Sequence, residues 1–240
     1  MVKLSVEDRI KNLLPARFYY PYKISREARA VEPELNLLRE LVPSGCTAID
    51  AGANRGYYSW ALAGIADNVE AFEPNPVLAR FARSKLGRKA RLHEVALSDH
   101  AGVATLYIPR RTTGSSLHIT GNLGNVYSQE SVDKVQVKLA TLDSYDFKNV
   151  GFIKIDVEGS EMEVLGGAGE TIRSNRPNML IELLAGIHGD YLARIEQITN
   201  DFGYHAWVVI GHEKFEAKPA LAQMEPLRRT SNILFTPATT

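Results

Sequence analysis

The chain has 240 residues, 45% hydrophobic and 23% charged, a length and composition that one substantial core accommodates. Lys plus Arg and Asp plus Glu each number 28, so no net basic field draws the chain to nucleic acid or an anionic membrane, and nucleic acid is not an expected partner. The single cysteine, Cys46, has no partner for an intramolecular disulfide and reads as a small core residue beside an apolar strand.

The opening stretch MVKLSVEDRIKNLLPARFYY interrupts every apolar run with charge. Neither a signal-peptide core nor a membrane span of about 20 apolar residues is expected there, and the cytoplasm is the expected location. The aromatic cluster Phe18, Tyr19, Tyr20 and Tyr22 is expected to pack against the main domain. Residues 1–32 read as an N-terminal extension and 33–240 as one domain.

From Pro33 to Leu41, Leu35, Leu37, Leu38 and Leu41 fall on one helical face before Pro43-Ser44-Gly45 stops it. Cys46-Thr47-Ala48-Ile49-Asp50 follows as a short apolar strand of the kind buried on both sides of a parallel sheet. A helix from about Tyr57 to Ile65, a strand Val69–Phe72, a helix Pro76–Leu86 and a strand Leu92–Leu97 continue the alternation of a doubly wound α/β sheet. Two alternating stretches, Val103–Ile108 and Val135–Leu139, predict a hairpin-like β insert. The alternation resumes with Phe152–Asp156, a helix Ser160–Ser174, Met179–Glu182 and a helix Tyr191–Phe202. Strands His205–Ile210 and Asn232–Phe235 bring the total to seven, the last expected to run antiparallel.

The segment Asp50-Ala51-Gly52-Ala53-Asn54-Arg55-Gly56 puts an acid, a tight turn and a helix start at the carboxyl edge of the sheet, where such folds bind ligands. Exposed N–H groups there suit a carboxylate such as the methionine end of S-adenosylmethionine. Glu73, 23 residues beyond Asp50, ends the second strand, where a carboxylate can accept both hydroxyls of a ribose. Asn54 and Tyr57 occupy the positions of the second and third glycines of a dinucleotide fingerprint, which argues against a nucleotide-dependent oxidoreductase.

In these segments the sequence resembles the FkbM family of methyltransferases. The likeness covers Ile49–Ser59, Ala71–Pro76, Val95–Asp99, Thr141–Tyr145, Phe152–Gly159 with Glu161, Arg176-Pro177 and Ile181-Glu182. It implies a class I, Rossmann-like methyltransferase fold with a seven-stranded sheet and antiparallel last strand, S-adenosylmethionine as cofactor, and transfer to a hydroxyl oxygen. It also implies a cofactor site of Asp50, Gly52, Ala53, Asn54, Gly56, Tyr58, Ser59, Glu73, Pro74, Ala96, Leu97, Ser98 and Asp156. Ala51 departs from the valine of many relatives without disturbing that assignment.

Removing a hydroxyl proton needs a base near the methyl group. Asp156, Glu158, Glu182 and His188 lie at or just beyond strand ends that should share one cleft, with Asp156 expected closest to the methyl group and Glu182 or His188 expected to take the proton. Glu158 reads equally as an acceptor contact or as a carboxylate in a first helical turn. The polar segment Thr112–His118, with Ser116 and His118, is expected to contact the acceptor. No metal is expected. The acceptor is expected to be a small molecule or glycan, and a cofactor-binding protein without catalysis is the alternative reading.

Overall fold

The computed structural model describes residues 14–30, 32–109, 132–183, 191–223 and 232–238. Its strands, in chain order, are β1 (Thr47–Ala51), β2 (Asn68–Phe72), β3 (Ala90–His93), β4 (Ala96–Leu97), β5 (Gly102–Pro109) and β6 (Val132–Ala140). They continue with β7 (Val150–Ile155), β8 (Asn178–Glu182), β9 (Tyr204–Ile210), β10 (Glu213–Glu216) and β11 (Asn232–Pro237). The main sheet runs β3-β2-β1-β7-β8-β11-β9-β10, and a second sheet runs β4-β6-β5.

Pairings among β3, β2, β1, β7 and β8 are all parallel. The last strand, β11, slots between β8 and β9 antiparallel to both. Seven strands thus take the expected arrangement, and β10, which reads too polar to stand out in the sequence, extends the edge through an antiparallel pairing with β9.

Alternation along the parallel strands divides two cores between the faces of the sheet. Ile49, Ile153, Ile155 and Ile181 enter one, while Ala48, Phe152, Leu180 and Leu234 enter the other. The second face is covered by α1 (Ala16–Ala30), by the 3-10 turn Pro33–Leu37 with α2 (Leu38–Leu41), and by α3 (Tyr57–Ala63). Tyr19 and Tyr20 of α1 turn inward, with Tyr20 stacked on Trp60 at 5.6 Å and its hydroxyl donating to the Arg55 carbonyl at 2.8 Å. Phe18 and Tyr22 face outward, so packing claims half of the aromatic cluster.

Two expected elements are divided. The stretch Leu92–Leu97 leaves the main sheet after His93, whose carbonyl accepts the Glu73 N–H, and Ala96-Leu97 pairs instead with β6. The helix expected over Ser160–Ser174 is two, α5 (Glu161–Gly166) and α6 (Gly169–Asn175). Between them Gly167 passes so close to Ser98 that a Cβ would stand 2.0 Å from its carbonyl oxygen. This approach leaves no room for a side chain at the break. The hairpin insert is present as β5 against β6. Among the described residues no helix is long and apolar enough to cross a membrane.

Candidate functional site

A cavity opens at the carboxyl edge of the parallel strands. Its floor is the β1 turn with Gly52 and Asn54, one wall is Phe72, Glu73 and Pro74, and the opposite wall is Asp156, Val157, Glu158 and Ser160. Leu78, Val95, Ala96, Leu97 and Leu106 make its remaining wall apolar. An apolar slot that ends in a few fixed polar groups suits a nucleoside with a polar tail.

Gly52 has φ +87, and a Cβ there would lie 1.8 Å from the Asp156 carbonyl oxygen. The turn can therefore fold only on glycine, and it brings backbone rather than side chain to the cavity floor. Asn54 follows in a left-handed conformation, φ 51, which asparagine tolerates better than most residues. Its N–H donates to Glu73 Oε2 at 2.8 Å, while the N–H of Asn75 donates to Oε1 at 2.8 Å. Asn75 also caps α4 (Pro76–Lys85), accepting the Val77 N–H at 3.0 Å, with proline at the first helical position.

Glu73 is thus held at both oxygens, each of which keeps a further lone pair for a ligand. Burial pushes its carboxyl up to about 7, against the lowering effect of the Asn75 and Asn54 N–H groups and with the help of Asp50 and Asp156. Asp50 lies beneath the turn, only 2% exposed, and accepts the Ser59 hydroxyl at 2.5 Å. Burial raises its carboxyl to about 6, opposed by Ser59 and Lys154.

On the opposite wall, Glu158 at φ 56 and Gly159 at φ 112 form a tight turn after β7. The buried Glu161 carboxylate accepts the N–H groups of Val157 and Gly159, each at 3.1 Å, and so pins that turn from behind. Burial is the main cause raising the Glu158 carboxyl to about 7, with Asp156 and Glu161 adding to it.

Asp156 is tied to Lys154, its Oδ2 lying 3.5 Å from the buried ammonium. Lys154 also donates to Asn232 Oδ1 at 3.0 Å and lies over the Tyr58 ring at 5.3 Å. Strand register explains the meeting: Asp50 is opposite Lys154 across β1 and β7, and Asn232 is opposite Glu182 across β11 and β8. Glu32 and Glu34 approach the same ammonium from the N-terminal side, and burial raises the Glu34 carboxyl to about 7.

Of the residues singled out in the sequence, Gly52, Asn54, Glu73, Pro74, Ala96, Leu97, Asp156 and Glu158 line the cavity. Asp50, Ala53, Gly56, Tyr58, Ser59 and Ser98 support it: Ala53 donates to the Phe72 carbonyl, Gly56 begins α3, and Ser98 donates to the Ala140 carbonyl. Glu182 lies on the Lys154 side rather than in the lining. His188, Ser116 and His118 lie outside the described residues.

Sequence reasoning passed over Phe72, Leu78, Val95, Leu106, Val157 and Ser160 as lining, because apolar walls carry no motif. It also passed over Lys154, although a lysine inside an apolar strand is the anomaly that marks a buried charge. Among the described residues no group of three or more His, Cys, Asp or Glu is placed to hold a metal ion.

The fold finds counterparts among known proteins. A family model described as "Methyltransferase FkbM domain" matches residues 50–206. Methyltransferase FkbM from Methylobacillus flagellatus is similar in structure, with a TM-score of 0.53 at 14% identity over 95% of this chain. The chain spans 57% of that protein's length. An rRNA methylase from Streptococcus thermophilus aligns at TM-score 0.49 and 13% identity, covering 86% of this chain and 96% of its own. Precorrin-6y C5,15-methyltransferase from Geobacter metallireducens aligns at 0.48 and 12%, covering 88% and 90%. Among curated proteins, no sequence matches.

Proposed function

Because the chain belongs to the FkbM methyltransferase family, with S-adenosylmethionine as its cofactor, we propose that it methylates a hydroxyl oxygen of a small molecule, sugar or glycosylated natural product. The observation that carries this reading is the cavity itself. A clamped carboxylate, Glu73, stands on one wall, and two carboxylates at the end of β7, Asp156 and Glu158, stand on the other.

When bound, the cofactor supplies an electrophilic methyl group on a positively charged sulfur. Glu73 would accept the ribose hydroxyls without reorienting, since its two oxygens are already fixed by Asn54 and Asn75. Ala96, Leu97, Leu106 and Leu78 would enclose the base and keep water from it. Asp50, held by Ser59 beneath the turn, would attract the cofactor's ammonium from behind the cavity floor. Asp156, which lines the cavity, would offer its carboxylate to the cationic sulfur.

The acceptor enters on the side of Glu158. A carboxyl near 7 is ionised in about half of molecules at neutral pH and is well matched to removing a hydroxyl proton as the oxygen attacks. Glu182 and His188 are the other candidates for that proton, and Ser116 and His118 for acceptor contact.

Calorimetry with S-adenosylhomocysteine and NAD, followed by a panel of hydroxylated acceptors monitored for S-adenosylhomocysteine release, tests the proposal. Binding of the first ligand alone and turnover with a sugar or other alcohol are expected. Binding of NAD would favour an oxidoreductase, and binding without turnover across the panel would favour a non-catalytic cofactor protein.

A further inference from the structure

Lys154 is 1% exposed and is the one fully buried lysine or arginine among the described residues. Burying an ammonium is costly unless it is paired, and a lysine lends itself to replacement by an apolar residue at such a position. Here the cost is met by an arrangement directed at the cavity. The ammonium is anchored to Asn232 at 3.0 Å on one side and lies 3.5 Å from Oδ2 of Asp156 on the other. Asp156 in turn lines the cavity with its side chain 30% exposed. Any cationic group that meets Asp156 therefore has a second, fixed cation on the far side of the same carboxylate.

We propose that Lys154 is a built-in positive charge that weakens the grip of Asp156 on the cofactor's sulfonium before transfer, a repulsion that disappears as transfer proceeds. The inference rests on S-adenosylmethionine being the cofactor. In the transfer, the methyl carbon's bond to sulfur breaks and its electron pair stays on sulfur. A lone pair of the acceptor oxygen forms the new carbon–oxygen bond, and the hydroxyl proton passes to the base. Sulfur thus goes from a full positive charge to none.

A fixed cation nearby raises the energy of the starting state more than that of the transition state, where sulfur has already lost part of its charge. Only such a difference accelerates the step. Asp156 alone would do the reverse, binding the starting sulfonium too well. The pair brings the cofactor in without trapping it.

The ammonium is suited to remain charged. Burial presses it toward losing its proton, yet Asp156, Glu182, Glu32 and Asp50 more than offset this, and its pKa stands above the ordinary lysine value. The Tyr58 ring, 5.3 Å away, adds a face that favours a cation.

The test needs no acceptor. Dissociation constants of S-adenosylmethionine, which carries the sulfonium, and S-adenosylhomocysteine, which is neutral at sulfur, are measured by calorimetry on the full chain and on variants. Lys154→Met is expected to shift the ratio of the two affinities about tenfold toward S-adenosylmethionine, and Asp156→Asn about tenfold the other way. An unchanged ratio in Lys154→Met, or equal weakening of both ligands, overturns the proposal in favour of a structural lysine.

Should that variant fail to fold, Asn232→Leu releases one anchor and lets the ammonium lean on Asp156. A shift of about threefold toward S-adenosylhomocysteine is then expected, and an unchanged ratio is again fatal. Failure of the unaltered chain to bind either ligand would instead overturn the cofactor reading.

Discussion

The α-carbon of Gly52 stands so close to Asp156 that a methyl group on it would lie 1.8 Å from the Asp156 carbonyl oxygen. The two strand ends that carry the cavity's floor and one wall are therefore in backbone contact. Gly52→Ala adds both that clash and a side chain at φ +87, and is expected to cost about 3 kcal/mol of stability and to abolish S-adenosylhomocysteine binding. Urea unfolding and calorimetry on the same preparation check both effects.

Glu73 offers a sharper probe of the nucleoside reading. In Glu73→Gln an NH2 group must face either the Asn54 or the Asn75 N–H, both of which now donate to a carboxylate at 2.8 Å. A loss of about 2–3 kcal/mol, or roughly 30- to 150-fold in S-adenosylhomocysteine affinity, is expected. Affinity within threefold of the unaltered chain would remove Glu73 from the ribose site.

Burial has raised four carboxyls, Asp50 to about 6 and Glu34, Glu73 and Glu158 to about 7. Unfolded, such groups titrate near about 4. The folded chain thus retains protons that the unfolded chain releases across the window from about 4 to 7. Their stabilising contribution is complete below that window and is lost as pH rises through it. The urea midpoint of the cofactor-free chain is expected to fall between pH 5 and pH 8, and a rising midpoint would contradict these assignments.

Tyr20 links the N-terminal helix to the cofactor turn through its bond to the Arg55 carbonyl. Tyr20→Phe keeps the stack on Trp60 but leaves that carbonyl without this donor. A loss of about 1 kcal/mol in stability and a several-fold fall in S-adenosylhomocysteine affinity are expected. Unchanged affinity would mean that the helix braces the core without influencing the turn.

Arg176 is the contrasting case. It takes φ 51 after α6, donates to the carbonyls of Phe202 and Gly203, and lies over the Tyr204 ring at 4.8 Å. Arg176→Ala is expected to lower stability by about 2–4 kcal/mol while leaving cofactor affinity intact, a combination that thermal melting with and without S-adenosylhomocysteine would reveal.

The parallel strands and the turn from Asp50 to Gly56 were legible because their apolar runs and glycines answer to strict local demands. Glu73 was legible from its place at a strand end, and the closing antiparallel strand from a preceding connection too short on helical pattern for a crossover. The division at Gly167 was not, since a glycine pair inside a helical pattern does not reveal that Ser98 approaches it from elsewhere in the chain. The departure of Ala96 from the main sheet was equally hidden: its partner, Leu139, lies more than forty residues away, and only their pairing tells. Lys154 was not legible, because its meaning depends on Asn232 and Glu32, at opposite ends of the sequence. Charges that act through space leave no spacing to read.

Among the described residues, Leu97 and Leu106 belong to a sheet that shares no ladder with the one whose strand ends lead into Gly52, Glu73 and Asp156. The cavity is consequently a seam between two separately hydrogen-bonded sheets. The amides on its two sides need not open together. Hydrogen exchange would be expected to protect β4, β5 and β6 as one group and the parallel strands as another, with ligand binding bringing the two rates closer.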